Sequence, residues 1–156
     1  MNKRREGYLI SEPAGSMISG EAATIFGWAW IAATIALGLH VSDEAAHDFL
    51  AWYNPQAQRI RRALGNIPFP PTFTFFPWLL GLVAGILVLL ALAPWAFAGS
   101  RWMQPLAYVL AAIHIANGAG HIVGSCVAKR LLPGVLSSPL LLLSGAWLAY
   151  VVTTRL

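Results

Sequence analysis

The amino-acid sequence predicts an all-α fold, an integral membrane four-helix bundle, and three observations carry that expectation. Of 156 residues, 58% are hydrophobic and 10% are charged, against about 25% charged in a typical soluble domain. The ten Lys or Arg and six Asp or Glu residues are placed so that 22–42, 63–100, 102–128 and 131–154 contain none of them. Each run reaches the ~20 residues that a helix needs to cross ~30 Å of hydrocarbon, and none alternates with the period of a membrane barrel.

The same composition excludes a disordered chain and a disulfide scaffold, and a net charge of +4 is too weak for a nucleic-acid binder. The one cysteine, Cys126, is expected to be a small buried apolar residue.

Residues 1–20 read as a polar tail carrying Lys3, Arg4 and Arg5, and 21–156 as a single transmembrane domain. The first apolar run is not a cleaved signal, because it has full membrane length and ends in His40-Val41-Ser42-Asp43-Glu44 instead of a small-residue cleavage site. It is expected to span about 21–41. The second run opens with Asn66-Ile67-Pro68-Phe69-Pro70-Pro71, which cannot be helical throughout, so its span is placed at about 76–98.

The third and fourth spans are placed at about 104–128 and 134–154. Short loops after spans two and three predict that each pair packs as antiparallel neighbours. Gly81 and Gly85, then Gly120 and Gly124, are small residues spaced for close helix approach. Trp28, Trp30, Trp52, Tyr53, Trp78, Trp95, Trp102, Trp147 and Tyr150 fall mostly toward span ends, as interfacial anchors do. Basic residues divide five and five between the two sides, so orientation rests on the first span, which favours a cytoplasmic N-terminus.

All four histidines lie in two patches. At about 100° per residue, His40, Asp43, Glu44 and His47 share one helical face, and His114, Asn117 and His121 share another. Spans one and three run toward the same side of a four-span protein, which brings both patches to one interface. An acidic group in a lipid-embedded helix costs about 2.5–3.5 kcal/mol on insertion scales, so these groups should face one another or a wet cavity.

Histidine and carboxylate on facing helices assemble metal sites. Four carboxylates are lacking for a carboxylate-bridged di-iron centre, so the expectation is one divalent metal, zinc or iron, held by His40, Glu44, His47 and His121. Glu44 and Asp43 are the catalytic candidates, and His114 and Asn117 orient ligands or substrate. Arg59, Arg61 and Arg62 read as an interfacial amphipathic stretch.

The motifs His40-x-x-Asp43-Glu44 and Asn117-x-x-x-His121, with Arg130-Leu131-Leu132-Pro133-Gly134 before the last span, resemble the HXXEE-domain family of small bacterial membrane proteins. The resemblance runs from 22 to 152 and implies a multi-pass enzyme of the bacterial inner membrane with His40, Glu44, Asn117 and His121 as its site. Two departures stand out: Asp43 replaces the first glutamate, and no histidine has an arginine four residues later. Rhomboid-like, paired-glutamate prenyl protease and His-Glu-x-x-His signatures are absent.

The expected function is a metal-dependent membrane enzyme acting on a lipidic or amphiphilic small molecule. The alternatives are a metal-free isomerase or cyclase using a buried acid, and a proton-coupled carrier or sensor without catalysis. Membrane lipid is the expected surrounding partner, and a homodimer would help so small a bundle to enclose a pocket.

Overall fold

A computed structural model describes residues 20–65 and 67–156. The expected tail over 1–20 lies outside these residues, except for Gly20, where the first helix begins. The described residues are all-helical: α1 (Gly20–Ala46), α2 (Phe49–Ala63), α3 (Phe75–Ala91), α4 (Ala93–Phe97), α5 (Met103–Ala128) and α6 (Ser138–Arg155). Three helices are long and apolar enough to cross a membrane, namely Gly20–Ala46, Phe75–Phe97 taken through the break at Leu92, and Met103–Ala128. The break precedes Pro94, which has no N–H to continue the ladder.

The fourth apolar run yields a shorter helix than the span expected over 134–154. It starts at Ser138, because Pro133 and Gly134 belong to the preceding loop and Gly134 takes a φ of +85°. A helix over Phe49–Ala63 fills the loop that was expected to be an amphipathic stretch. It buries Leu50 and Ala57 and leaves Arg59 and Arg62 exposed.

Buried residues follow one stripe along each central helix, at steps of three and four. On α1 the stripe runs Ala22, Phe26, Ala29, Ala33, Ala36, His40, Glu44. On α5 it runs Met103, Ala107, Leu110, His114, Gly118, His121, Ser125. Apolar members of both stripes meet Ala93 and Ala96 of α4 and Leu148, Val151 and Val152 of α6 in one core. The polar members form the other end of the same stripes. Outward faces reverse the usual polarity: Ile35, Leu39, Leu80, Leu87, Ile113, Val123 and Leu143 are all exposed.

Of the two helix pairs that the loop lengths suggested, the second forms and the first does not. α5 and α6 are close antiparallel neighbours, whereas α3 packs on α1 and α4 and makes at most marginal contact with α5. The short α4 lies against α1 beside the core, so α3 flanks the bundle and is covered on little of its surface.

Glycine spacing also misled. A methyl group placed on Gly81, Gly85 or Gly120 would meet nothing within 4 Å. Close approach occurs instead at Gly118, where a Cβ would stand 2.9 Å from the Ser138 carbonyl oxygen, and at Gly145, where one would stand 2.7 Å from His114 Cβ. Small residues permit approach only where a partner helix is present.

Two further expectations are corrected. Trp30 is fully buried and donates its indole N–H to the Leu89 carbonyl at 2.8 Å, so it joins α1 to α3 instead of anchoring an interface. Cys126 lies on the exposed side of α5, because the stripe passes through Ser125.

Gly145→Ala should lower stability by about 1–3 kcal/mol, the usual cost of overpacking, whereas Gly81→Ala should not. Thermal unfolding of the detergent-solubilised protein measures both, and equal effects would contradict the packing described.

Candidate metal centre

His40 and Glu44 stand one turn apart on α1, and the interior stripe of α5 brings His121 opposite them. Glu44 Oε1 lies 3.1 Å from His121 Nε2 and 3.5 Å from His40 Nε2. One donor atom from each residue falls within 4.8 Å of the other two. All three are buried, at 1%, 5% and 6% relative exposure for His40, Glu44 and His121. The imidazole planes cross at 75°, with ring centroids 4.8 Å apart.

A hydrogen-bonded chain sets the His40 tautomer. Ser137 Oγ donates to Asp43 Oδ2 at 2.8 Å, with the Gly134 carbonyl at 3.1 Å as its other acceptor. Its single proton is therefore committed, and its 2.9 Å contact with His40 Nδ1 is accepted from the ring N–H. The Nε2 lone pair then points toward the cluster. Asn117 Nδ2 donates to it at 3.1 Å. Asp43 Oδ2 also accepts the Ser137 backbone N–H at 2.9 Å, tying the end of α1 to the start of α6. The carboxylate at position 43 thus positions His40 through Ser137 without joining the cluster.

Gly134 closes the centre from the α5–α6 loop. A Cβ there would stand 2.8 Å from His121 Cε1, 2.9 Å from His40 Cε1 and 3.0 Å from Glu44 Cγ. Its φ of +85° independently favours glycine. The loop is held by Ser125, whose Oγ accepts the Leu132 N–H at 3.1 Å, and by Lys129 in the left-handed conformation at the end of α5.

His47, expected as a ligand, is not brought to the cluster. Helix α1 ends at Ala46, and the largely exposed His47 ring turns to Asp43, with Nδ1 2.8 Å from Oδ1. His114 lies deeper in α5 and bonds to α6, 3.4 Å from Ser144 Oγ, while its buried Nε2 has no hydrogen-bond partner.

Ser137 and Gly134 were not singled out from the sequence as site residues. Ser137-Ser138-Pro139 before an apolar run is a helix-start signal, and Pro133-Gly134 is a turn signal just ahead of it.

Aromatic side chains of α2 and α3 form a wall beside the centre. Phe49 stacks on Tyr53 at 5.3 Å and Trp78 at 5.9 Å, and its centroid lies 5.8 Å from that of His121. A separate cavity of about 480 Å³ is lined by Asp43, His47, Asp48 and residues of the α5–α6 loop, and none of the three clustered side chains lines it.

The profile of a family described as "Protein of unknown function with HXXEE motif" matches residues 21–148. No curated protein and no solved structure matches the chain.

Gly134→Ala should combine left-handed strain with displacement of three buried side chains, a loss of about 1–3 kcal/mol. A thermal midpoint unchanged from wild type would rule out the close cover described.

Proposed function

The chain belongs to the HXXEE family, and from that premise we propose that it is a metal-dependent integral membrane enzyme acting on a lipidic or amphiphilic small molecule. One observation carries the reading: two histidines and a glutamate, all buried, converge so that one donor atom of each falls within 4.8 Å of the others. His₂Glu is the ligand set of many catalytic zinc centres, which keep a position open for water or substrate. With bonds of about 2.0–2.1 Å, tetrahedral donors stand roughly 3.3 Å apart. The two Glu44 distances, 3.1 and 3.5 Å, bracket that separation, whereas the two histidine donors lie within 4.8 Å of each other, a wider limit.

His40, Glu44 and His121 hold one divalent metal, zinc or iron. Such a metal supplies Lewis-acid chemistry at its open position. Asp43 and Ser137 keep the proton on His40 Nδ1 and leave Nε2 as the donor. Asn117 and the metal use the same lone pair, so metal binding frees the Asn117 amide for a bound molecule. Gly134 and the α5–α6 loop exclude water from one side.

The reversed polarity supports the membrane reading. Large apolar side chains face outward on α1, α3, α5 and α6, while His40, Glu44, His114, His121, Ser125 and Ser144 are buried. In this reading α6 makes the fourth crossing beside α5, and α2, with its exposed arginines, lies along the interface. In this reading the membrane is the bacterial inner membrane.

Metal analysis of the purified full-length protein tests the centre. About one zinc or iron per chain is expected from three protein ligands, lost in His40→Ala, Glu44→Gln and His121→Ala and kept in His47→Ala. Ser137→Ala should weaken metal binding by about 10–100-fold, the usual effect of losing a partner that orients a ligand. Protein that stays metal-free after reconstitution would overturn the metal reading and leave Glu44 with His121 as a proton-transfer pair.

A further inference from the structure

Because α3 packs on α1 and α4 and scarcely on α5, a trough remains between α3 and α5. One cavity of about 430 Å³ is lined by Glu44, Phe49, Tyr53, Trp78, Gly81 and Asn117 among others. A second, of about 280 Å³, shares Phe49, Tyr53 and Asn117 and adds Gly120 and His121. Two of the three clustered side chains thus face the trough.

Both glycines open it. Nothing stands within 4 Å of a methyl group built on Gly81 or Gly120, so each helix leaves a gap the size of a side chain on its trough side. The aromatic wall opposite is held in place. Tyr53 donates to the Pro71 carbonyl at 3.0 Å, Asn54 donates to the Phe73 carbonyl at 2.9 Å and accepts the Phe73 N–H at 3.0 Å. Outside the trough, α3 exposes Leu80, Val83 and Leu87.

Charge narrows what fits. Neither cavity is lined by a lysine or an arginine, and the side chains at the inner end are Glu44, Asn117 and His121. The lining gives a phosphate or carboxylate no lysine or arginine to pair with, so the one positive charge it could meet is a metal already partly neutralised by Glu44. A hydroxyl or carbonyl oxygen can instead accept from the Asn117 amide, and a hydroxyl can donate to Glu44.

We propose that the trough binds an uncharged single-chain lipid, an apolar chain ending in a hydroxyl or carbonyl oxygen, which enters sideways from the bilayer between α3 and α5 with its oxygen toward Glu44 and His121. The proposal names the substrate class for the centre described above and rests on that reading of it.

Photolabelling tests it with the full-length protein in phosphatidylcholine nanodiscs. The probes are a long-chain alcohol and the matching carboxylate, each carrying the same photoreactive group along the chain, with labelled peptides located by mass spectrometry. The alcohol should label peptides of α2 and α3, and the carboxylate should label them far less. Gly81→Leu combined with Gly120→Leu should reduce labelling by roughly tenfold or more, as expected when a pocket is filled. Gly85→Leu, also uncovered on α3 but lining neither cavity, should leave it unchanged.

Metal content and thermal midpoint of the double variant should equal wild type, which separates blockage from misfolding. Equal labelling by both probes overturns the proposal, as does labelling unaffected by the two leucines. The expected labelling pattern in a protein without metal would support the trough and refute the metal reading. Bound metal with indiscriminate labelling would do the reverse.

Discussion

A carboxylate with 5% exposure inside a helical bundle is the constraint around which this structure is arranged. Burying a carboxylate with neither a donor nor a cation beside it is costly, so Glu44 needs nitrogen groups within reach that can donate to it or share a cation with it. That requirement places His40 one turn earlier on the same helix and His121 on the facing helix. It also makes the surrounding geometry narrow. Asp43 and Ser137 dictate which ring nitrogen of His40 carries the proton, and Gly134 lets backbone pass where no Cβ could. The last helix is thereby linked to the centre through its first turn.

The two ends of the bundle solve different packing problems with the same interior stripe. At one end, alanines of α1 and α5 let α4 and α6 approach over a small apolar core. At the other, the stripe positions on α1 and α5 carry imidazole and carboxylate, which need specific partners more than close contact. The glycines divide in the same way. Gly118 and Gly145 bring α5 and α6 together, while Gly81 and Gly120 are uncovered and widen a trough. Because α3 does not close on α5, the centre is sealed by a loop on one side and open between helices on another.

Much of the centre was legible from spacing. His40 and Glu44 at i and i+4, and His114 and His121 at i and i+7, must share helical faces, and the charge-free runs show that those faces lie within long apolar helices. The matched family is named for an HXXEE motif, and His40 and Glu44 stand at its first and last positions. His47 satisfied the same periodicity but not the geometry, since the helix ends at Ala46 and the ring turns to Asp43. Ser137 lay 97 residues from His40 along the chain, and no local pattern connects two such positions. Trp30 and Cys126 exchanged their expected surroundings because each run shows only that a helix forms, not which arc of it is covered.

By itself the sequence determined the helical class, the long apolar segments and the arcs on which histidine and acid stand, because these follow from charge placement and a helical repeat of about 3.6 residues. Tertiary structure decided which arcs meet. It selected His121 over His47 beside Glu44, assigned Asp43 and Ser137 to the tautomer of His40, laid Gly134 over all three side chains and left α3 apart from α5. The physical reason is that periodicity orients a side chain about its own helix axis, whereas contact depends on where helices end, how loops turn and which neighbours cover a face.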